Sequence, residues 1–300
     1  MHPAANAATL TARRSTRFVA WVRAWRAGLV PFDELADEIA GDEEHLVADA
    51  PGTWTDVPLG RGLPIFAKLH PDDVRLVLPA PGDPRGLPAP GAGLSAPGSS
   101  APSEGPGAGS QHSAGSQHSV GSRHSAGSRH SSLTGAAMLA GEAVMTPEFG
   151  LVPEVRRHTS GSGMEFETVL WRVHPVPEYR PVFQMAPAEA EAELTAALAE
   201  ATTQLTRLDV AQWRPELAGA LQALRRPEST ATLPPGFDPR ARRLFARASV
   251  LDQVLVLAEH SAPGSAVNGY EAQQRDAALR PLTTACRQAL VAACNSPLHP

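Results

Sequence analysis

A tract with almost no bulky apolar residues interrupts the chain between residues 89 and 132 and ends in four tandem hexapeptides, GSQHSA, GSQHSV, GSRHSA and GSRHSS. Sequence rich in Gly and Ser buries too little apolar surface to offset the entropy lost on ordering. A six-residue period is also shorter than the roughly 20 to 50 residues of solenoid repeats. Strand-like sequence lies on both sides, and neither side has enough strands for its own sheet. We therefore predict a disordered insertion, rich in Gly, Ser and His, within one sheet-forming unit.

The N-terminal region, residues 8–50, is predicted to form a helical hairpin. Apolar residues recur with helical spacing from residue 9 to Gly28, which suits a C-cap, and again after Pro31. The first helix is rich in arginine and the second in Asp and Glu, so we expect their charges to satisfy one another in part. The alternative is a basic amphipathic helix that lies on an anionic membrane or on a partner.

Residues 51–88 and 133–185 are predicted to form a small, mostly antiparallel sheet. Four segments read as strands: Pro64–Leu69, Val74–Leu78, 150–155 and 164–174. The last two alternate in polarity around HTSGSG, which is typical of a hairpin, and residues 133–144 read as a short helix leading into a strand. HPDD at residues 70–73 reads as a turn.

Residues 186–296 show apolar stripes at helical spacing, including one with Trp213, Leu217, Leu221 and Leu224, and are predicted to form a helical bundle. Together these regions predict the α+β class. Trp21, Trp25, Trp171 and Trp213 are expected to anchor the parts to one another.

Composition excludes several classes of protein. A formal net charge of −5 argues against a dedicated nucleic-acid binder. The chain has no run of about 18 apolar residues, so no transmembrane helix is expected. Cys286 and Cys294 lie about 12 Å apart on one helix, too far for a disulfide, and two buried thiols favour a cytoplasmic location.

Chemical motifs are scarce. The patterns GxxxxGK(S/T), GxSxG and HExxH are missing from the sequence, so it assigns no catalytic residue, cofactor or metal, and enzyme activity stays open. The repeat histidines lack the defined geometry of a metal site.

The most distinctive short string is GDPRGLP at residues 82–88. Asp83 and Arg85 flank a proline within a glycine-bounded turn and could present a charged pair to a ligand. The other interpretation is a tight turn that ends a strand, with both charges in solvent. Arg172, near the exposed end of the last predicted strand, is the third candidate ligand-binding residue.

The strings GDPRGLP, GEAV and GLVPEV give the chain a resemblance to uncharacterised conserved proteins of high-GC actinobacteria. The use of arginine in place of lysine agrees, since Lys68 is the only lysine among 26 basic residues. The resemblance implies no activity and carries over no functional residue.

Two functional hypotheses follow. The first is a non-enzymatic protein-interaction or regulatory protein with a protein partner, because motifs of catalysis are missing while the helices are amphipathic and rich in tryptophan. The alternative is a small-molecule-binding protein or enzyme, with a pocket between the sheet and the C-terminal helices that uses Asp83, Arg85 and Arg172.

Overall fold

The computed structural model of the protein describes residues 13–49, 55–88, 132–161, 163–176, 184–207, 232–260 and 269–299. Its α-helices are α1 Arg14–Arg26, α2 Phe32–Ala40, α3 Leu59–Gly62, α4 Leu133–Ala140, α5 Pro187–Arg207, α6 Pro239–His260 and α7 Gly269–Cys294. Its strands are β1 Glu44–Ala48, β2 Val57–Pro58, β3 Arg75–Val77, β4 Ala143–Met145, β5 Phe149–Thr159 and β6 Glu165–Pro175. This inventory confirms the predicted α+β class.

The strands form one six-stranded sheet in the order β2-β1-β6-β5-β4-β3. Every neighbouring pair is antiparallel except β1 and β6. The predicted hairpin is confirmed as β5 and β6, which pair from Phe149↔Pro175 to Thr159↔Glu165. Strands from both sides of the predicted insertion meet, because β1 pairs with β6 and β3 with β4.

Residues 89–131 of the predicted insertion lie outside the described ranges. Its last residue, Ser132, caps α4: the side-chain oxygen accepts a hydrogen bond of 3.2 Å from the Gly135 backbone N–H. The short helix and strand expected after it are confirmed as α4 and β4.

The end of α1 shows why the chain turns where it does. Gly28 has φ +74°, and the N–H groups of Gly28 and Leu29 bond back to the carbonyls of Trp25 and Ala24 at 2.9 Å. This is the Schellman arrangement, in which a left-handed glycine lets the chain leave the helix. The turn places α2 against α1, so the two predicted helices pack together.

Two predictions about local structure are wrong. Pro64–Leu69 was expected to be a strand, but Leu63–Phe66 is a 3₁₀ turn, because Pro64 suits a first helical turn and Phe66 is buried in the core. The strand Glu44–Ala48 lies within the region predicted to be a helical hairpin. It lies in the sheet between β2 and β6 and pairs with β6 in parallel.

The core lies between the sheet and the helices. Trp171 on β6 is fully buried, its ring 4.5 Å from that of Phe18 on α1, and its indole N–H donates to His45 Nδ1 at 3.2 Å. Trp21 is also buried and Trp25 packs against the same core, whereas Trp213 and its predicted stripe lie outside the described residues.

Helices α5, α6 and α7 pack against one another, and the end of α7 is tied to the sheet. Asn295 forms two hydrogen bonds with the backbone of Leu76 on edge strand β3, accepting at 2.8 Å and donating at 2.9 Å. Arg23 on α1 donates to the carbonyl of Cys294 and to that of Pro71. The α7 helix is therefore held beside the open edge of β3.

Both cysteines of α7 are buried free thiols. Burial raises the pKa of Cys286 and Cys294, so neither is activated for nucleophilic attack. The packing role predicted for them is confirmed.

Within the described ranges, no helix has the length and apolarity needed to cross a membrane.

Candidate ligand-binding cleft

A cleft of about 1300 Å³ opens between the loop after β3, the C-terminal end of α4, and helices α6 and α7. The loop contributes residues 79–83 and Arg85, and α7 contributes a stripe of its face from Asp276 to Arg287. The cleft thus lies between helices α6 and α7 on one side and the loop after β3 and the end of α4 on the other.

Two consecutive tight turns position Asp83 and Arg85. Ala80 and Asp83 exchange backbone hydrogen bonds of 3.0 and 2.8 Å around Pro81 and Gly82, whose φ is +81°. A positive φ after proline is the geometry of a type II turn, which requires glycine there. A second turn follows at once, closed by Leu87 N–H to Pro84 O at 3.1 Å with Gly86 at φ +85°.

The turns bring the two charged side chains together. Arg85 donates from Nε and Nη2 to the two carboxylate oxygens of Asp83, at 2.7 and 2.8 Å. These bonds lower the pKa of Asp83 and raise that of Arg85. Asp83 is 22% exposed and Arg85 is 62% exposed, so the string forms the turn that both interpretations expect, with the carboxylate only partly in solvent.

Arg287 on α7 approaches the same carboxylate from the protein interior. Its side chain is only 8% exposed, and Nη2 lies 3.4 Å from Asp83 Oδ2. Its other two nitrogens, Nε and Nη1, are buried and have no hydrogen-bond partner in the described part of the chain. Burial lowers the pKa of Arg287, and the like charges of Arg13 and Arg85 add to this effect, whereas Asp83 opposes it. A guanidinium nevertheless stays charged in proteins.

A second cavity of about 420 Å³ lies on the next turn of α7. Asp83, Arg85 and Arg287 line both cavities. The rest of the smaller cavity is mostly apolar, with walls from β3 and the loop after it, from the segment before α5 and from α7: Leu76, Val77, Leu78, Leu87, Met185, Val291 and Ala292. The charged group therefore stands between a larger cleft of mixed polarity and a mostly apolar pocket.

The far wall of the cleft is fixed by Arg13 at the start of α1. Its guanidinium forms two 2.9 Å hydrogen bonds with Asp252 of α6 and one of 3.2 Å with the carbonyl of Gly141. Behind it the buried carboxylate of Glu142 accepts the Ser15 N–H at 2.7 Å, and burial raises the pKa of Glu142. These contacts join α1, α4 and α6 into one wall.

Arg172 is not brought together with the other two predicted residues. Its guanidinium bonds to Glu154 at 2.7 Å and to Asp49 at 3.0 Å, on strands away from the cleft. It lines neither cavity, so we leave it out of the candidate site.

Sequence reasoning missed Arg287, although one signal was present. Arg287 directly follows Cys286, which belongs to the predicted apolar stripe of the last helix, so it sits at the border of a buried face. In the described ranges, no group of three or more His, Cys, Asp or Glu side chains converges. The repeat histidines lie outside those ranges.

The fold and cleft define an α+β protein whose ligand-sized cavity is walled by its N-terminal and C-terminal segments. The chain matches the model of the Rv1486c-like protein, N-terminal domain, over residues 15–99 and that of the Rv1486c-like protein, C-terminal domain, over residues 188–291. Since both halves match and together cover more than half of the sequence, the chain belongs to the Rv1486c-like family. No curated protein and no solved structure matches it.

The two family matches meet at the cleft. Asp83 and Arg85 lie in the segment that matches the N-terminal domain, and Arg287 lies in the segment that matches the C-terminal domain. Interfaces between domains are common places for small-molecule sites.

Proposed function

We propose that the protein binds a small anionic molecule in the cleft between the sheet and the C-terminal helices. The observation that carries this proposal is Arg287, a buried guanidinium at the cavity wall with two nitrogens that have no hydrogen-bond partner among the described residues.

The energetics of burial support a binding role. A buried charge is costly unless it is paired and its hydrogen-bonding groups are satisfied. The contact from Nη2 to Asp83 is long, at 3.4 Å, and Asp83 is already held by two shorter bonds from Arg85. Arg287 is therefore poorly compensated by the protein. Its Nε and Nη1 are closed to solvent in this structure, so a ligand oxygen would supply the missing acceptor once the guanidinium turns toward the cleft.

The local charge balance favours an anion. Three guanidiniums, those of Arg13, Arg85 and Arg287, share the carboxylates of Asp83 and Asp252. This group therefore carries one excess positive charge, while Glu259, Asp276 and Arg280 line the rest of the cleft. Electrostatic interactions in a partly enclosed site are stronger than in water. Carboxylates and phosphates match the donor geometry of a guanidinium. The proposal concerns binding and assigns no reaction.

Titration calorimetry with citrate and pyrophosphate tests this function. We expect the wild-type protein to bind at least one of them, and Arg287→Gln to weaken binding about tenfold or more, because a buried charged hydrogen bond is lost. Arg243→Gln removes the same charge from an exposed position on α6 outside both cavities, so it should leave the affinity nearly unchanged.

Two results would count against the function. One is no heat of binding for either anion up to about 10 mM, well above the range of specific small-molecule sites. The other is an equal loss of affinity in both arginine variants, which would mean that only the overall charge of the protein attracts the anions.

Interaction with a protein partner remains a prediction. One observation favours it: Val155, Met164 and Phe166 on the β5–β6 hairpin are exposed to 40%, 71% and 48%. If co-purification recovers the same proteins with wild-type chain and with a Met164→Ser, Phe166→Ser variant, this surface has no such role.

We also propose, from composition alone, that the chain comes from a high-GC actinobacterium. Its two buried free thiols suit a reducing compartment, so we propose a cytoplasmic location. Fractionation of host cells would test the location: recovery with the secreted proteins would contradict it.

A further inference from the structure

We infer that the anion taken by this cleft carries a compact apolar group, which occupies the smaller cavity beside Arg287. This inference rests on the proposed function and names its ligand class: an amphipathic monoanion with a medium-length aliphatic chain or a single ring.

The first argument is the position of Arg287 between two unlike cavities. On the large cleft side its neighbours along α7 include Arg280, Thr283 and Thr284, and on the other side they are Val291 and Ala292. A ligand whose charged end bonds to Arg287 therefore has an apolar space within reach of its other end. An inorganic ion would leave that space unused.

The second argument is the size of the apolar cavity. Protein interiors are close-packed and have few voids larger than a water molecule, because empty apolar space reduces stability. A cavity of about 150 Å³ already suffices to bind benzene in another protein. The cavity beside Arg287, at about 420 Å³, is partly open to solvent; most of its walls are Leu, Val, Met and Ala side chains, and it is large enough for a longer group.

The third argument is that other polar side chains bordering the pocket already have partners. Arg85 is held by Asp83, and Gln288 donates to Glu193 at 3.0 Å and accepts from Arg85 in the amide orientation that satisfies both of its polar atoms. Of the side chains that line both cavities, Arg287 is the one with buried donors lacking a partner in the described ranges. The pocket thus offers mostly apolar walls and, among its charged side chains Asp83, Arg85 and Arg287, one with buried donors that lack a partner in the described ranges.

Binding of butyrate, octanoate and 1-octanol to the full chain tests the inference. Each buried methylene is expected to tighten binding about fourfold, so octanoate should bind at least about twentyfold tighter than butyrate even if its chain is only partly buried. Octanol lacks the charge and should bind about tenfold or more weakly than octanoate.

A variant that fills the pocket locates the apolar group. Val291 is half-buried and lines only the smaller cavity, so Val291→Phe should weaken octanoate about tenfold or more and change butyrate by less than about threefold. Val254→Phe is the matched control and should change the octanoate affinity by less than about threefold, because Val254 is also half-buried, lies on α6 and lines neither cavity. If Val291→Phe fails to fold, Ala292→Leu fills the same cavity with fewer added atoms.

The possible outcomes distinguish a failure of this inference from a failure of the proposed function on which it rests. If butyrate and octanoate bind equally and both require Arg287, the anion site stands and the apolar group is wrong. Unchanged octanoate affinity in Val291→Phe also overturns the inference alone. If octanoate binds Arg287→Gln as tightly as wild type, or if no anion binds at all, both the inference and the proposed function fail.

Discussion

An Arg23→Ala variant is expected to lose about 3–5 kcal/mol of unfolding free energy, the range for breaking a buried charged network. The Arg23 side chain is 1% exposed and donates to Pro71 O at 3.0 Å, to Asp72 Oδ1 at 2.8 Å and to Cys294 O. Its guanidinium also lies 5.7 Å from the ring centroid of Phe237. The substitution removes these bonds and leaves a cavity between α1 and the end of α7.

Urea denaturation measures this loss. Arg26→Ala is the matched control on the same helix, since Arg26 donates to one carbonyl, Leu69 O, and stacks on Trp25, so we expect a loss of about 1 kcal/mol. Arg23→Lys should recover little of the stability, because an ammonium cannot reach three acceptors in a planar fork. A loss below about 1 kcal/mol for Arg23→Ala would show that this network does not hold the two segments together.

An Asn295→Leu variant is expected to lose about 2–4 kcal/mol, because it leaves the buried N–H and C=O of Leu76 without their partners. The amide of Asn295 takes the place that a neighbouring strand would have at the edge of β3. Hydrogen exchange gives a local readout: the Leu76 amide should lose protection relative to amides of the β5–β6 hairpin.

The Ser296→Ala variant controls for this position. Ser296 is equally buried but forms one local bond, from Oγ to Ala293 O at 2.8 Å, so we expect a loss near 1 kcal/mol. Unchanged protection of Leu76 in Asn295→Leu would contradict the account of how α7 is held beside the sheet.

Local signals in the sequence were sufficient for the β5–β6 hairpin and for the helices, because alternation and helical spacing each identify a buried face. They were insufficient for Pro64–Leu69, where a short apolar run suits a strand and a 3₁₀ turn equally well. Strand β1 was missed because its role depends on the parallel contact with β6, which is remote in sequence. Pairing of this kind leaves no local pattern.

In the candidate site too, local patterns were predictable from the sequence, whereas contacts between remote segments were not. The turns that present Asp83 and Arg85 follow from Pro and Gly at defined positions, so the sequence predicted the pair. Arg287 comes from a helix 204 positions later and differs from the other arginines of α7 only in what packs on it. Arg172 was chosen from strand alternation, but its partner Asp49 lies 123 positions away and binds it elsewhere.

The central claim is that Arg287 is kept for binding at the expense of stability. The most direct measurement is the unfolding free energy of Arg287→Met together with its affinity for the tightest-binding anion. Asp83 keeps its two bonds from Arg85 in this variant, and a buried charge with poor partners is replaced by an apolar side chain. We predict a gain of about 1–2 kcal/mol in stability and a loss of about tenfold or more in affinity. A variant that loses stability and binds the anion as wild type does would contradict the claim.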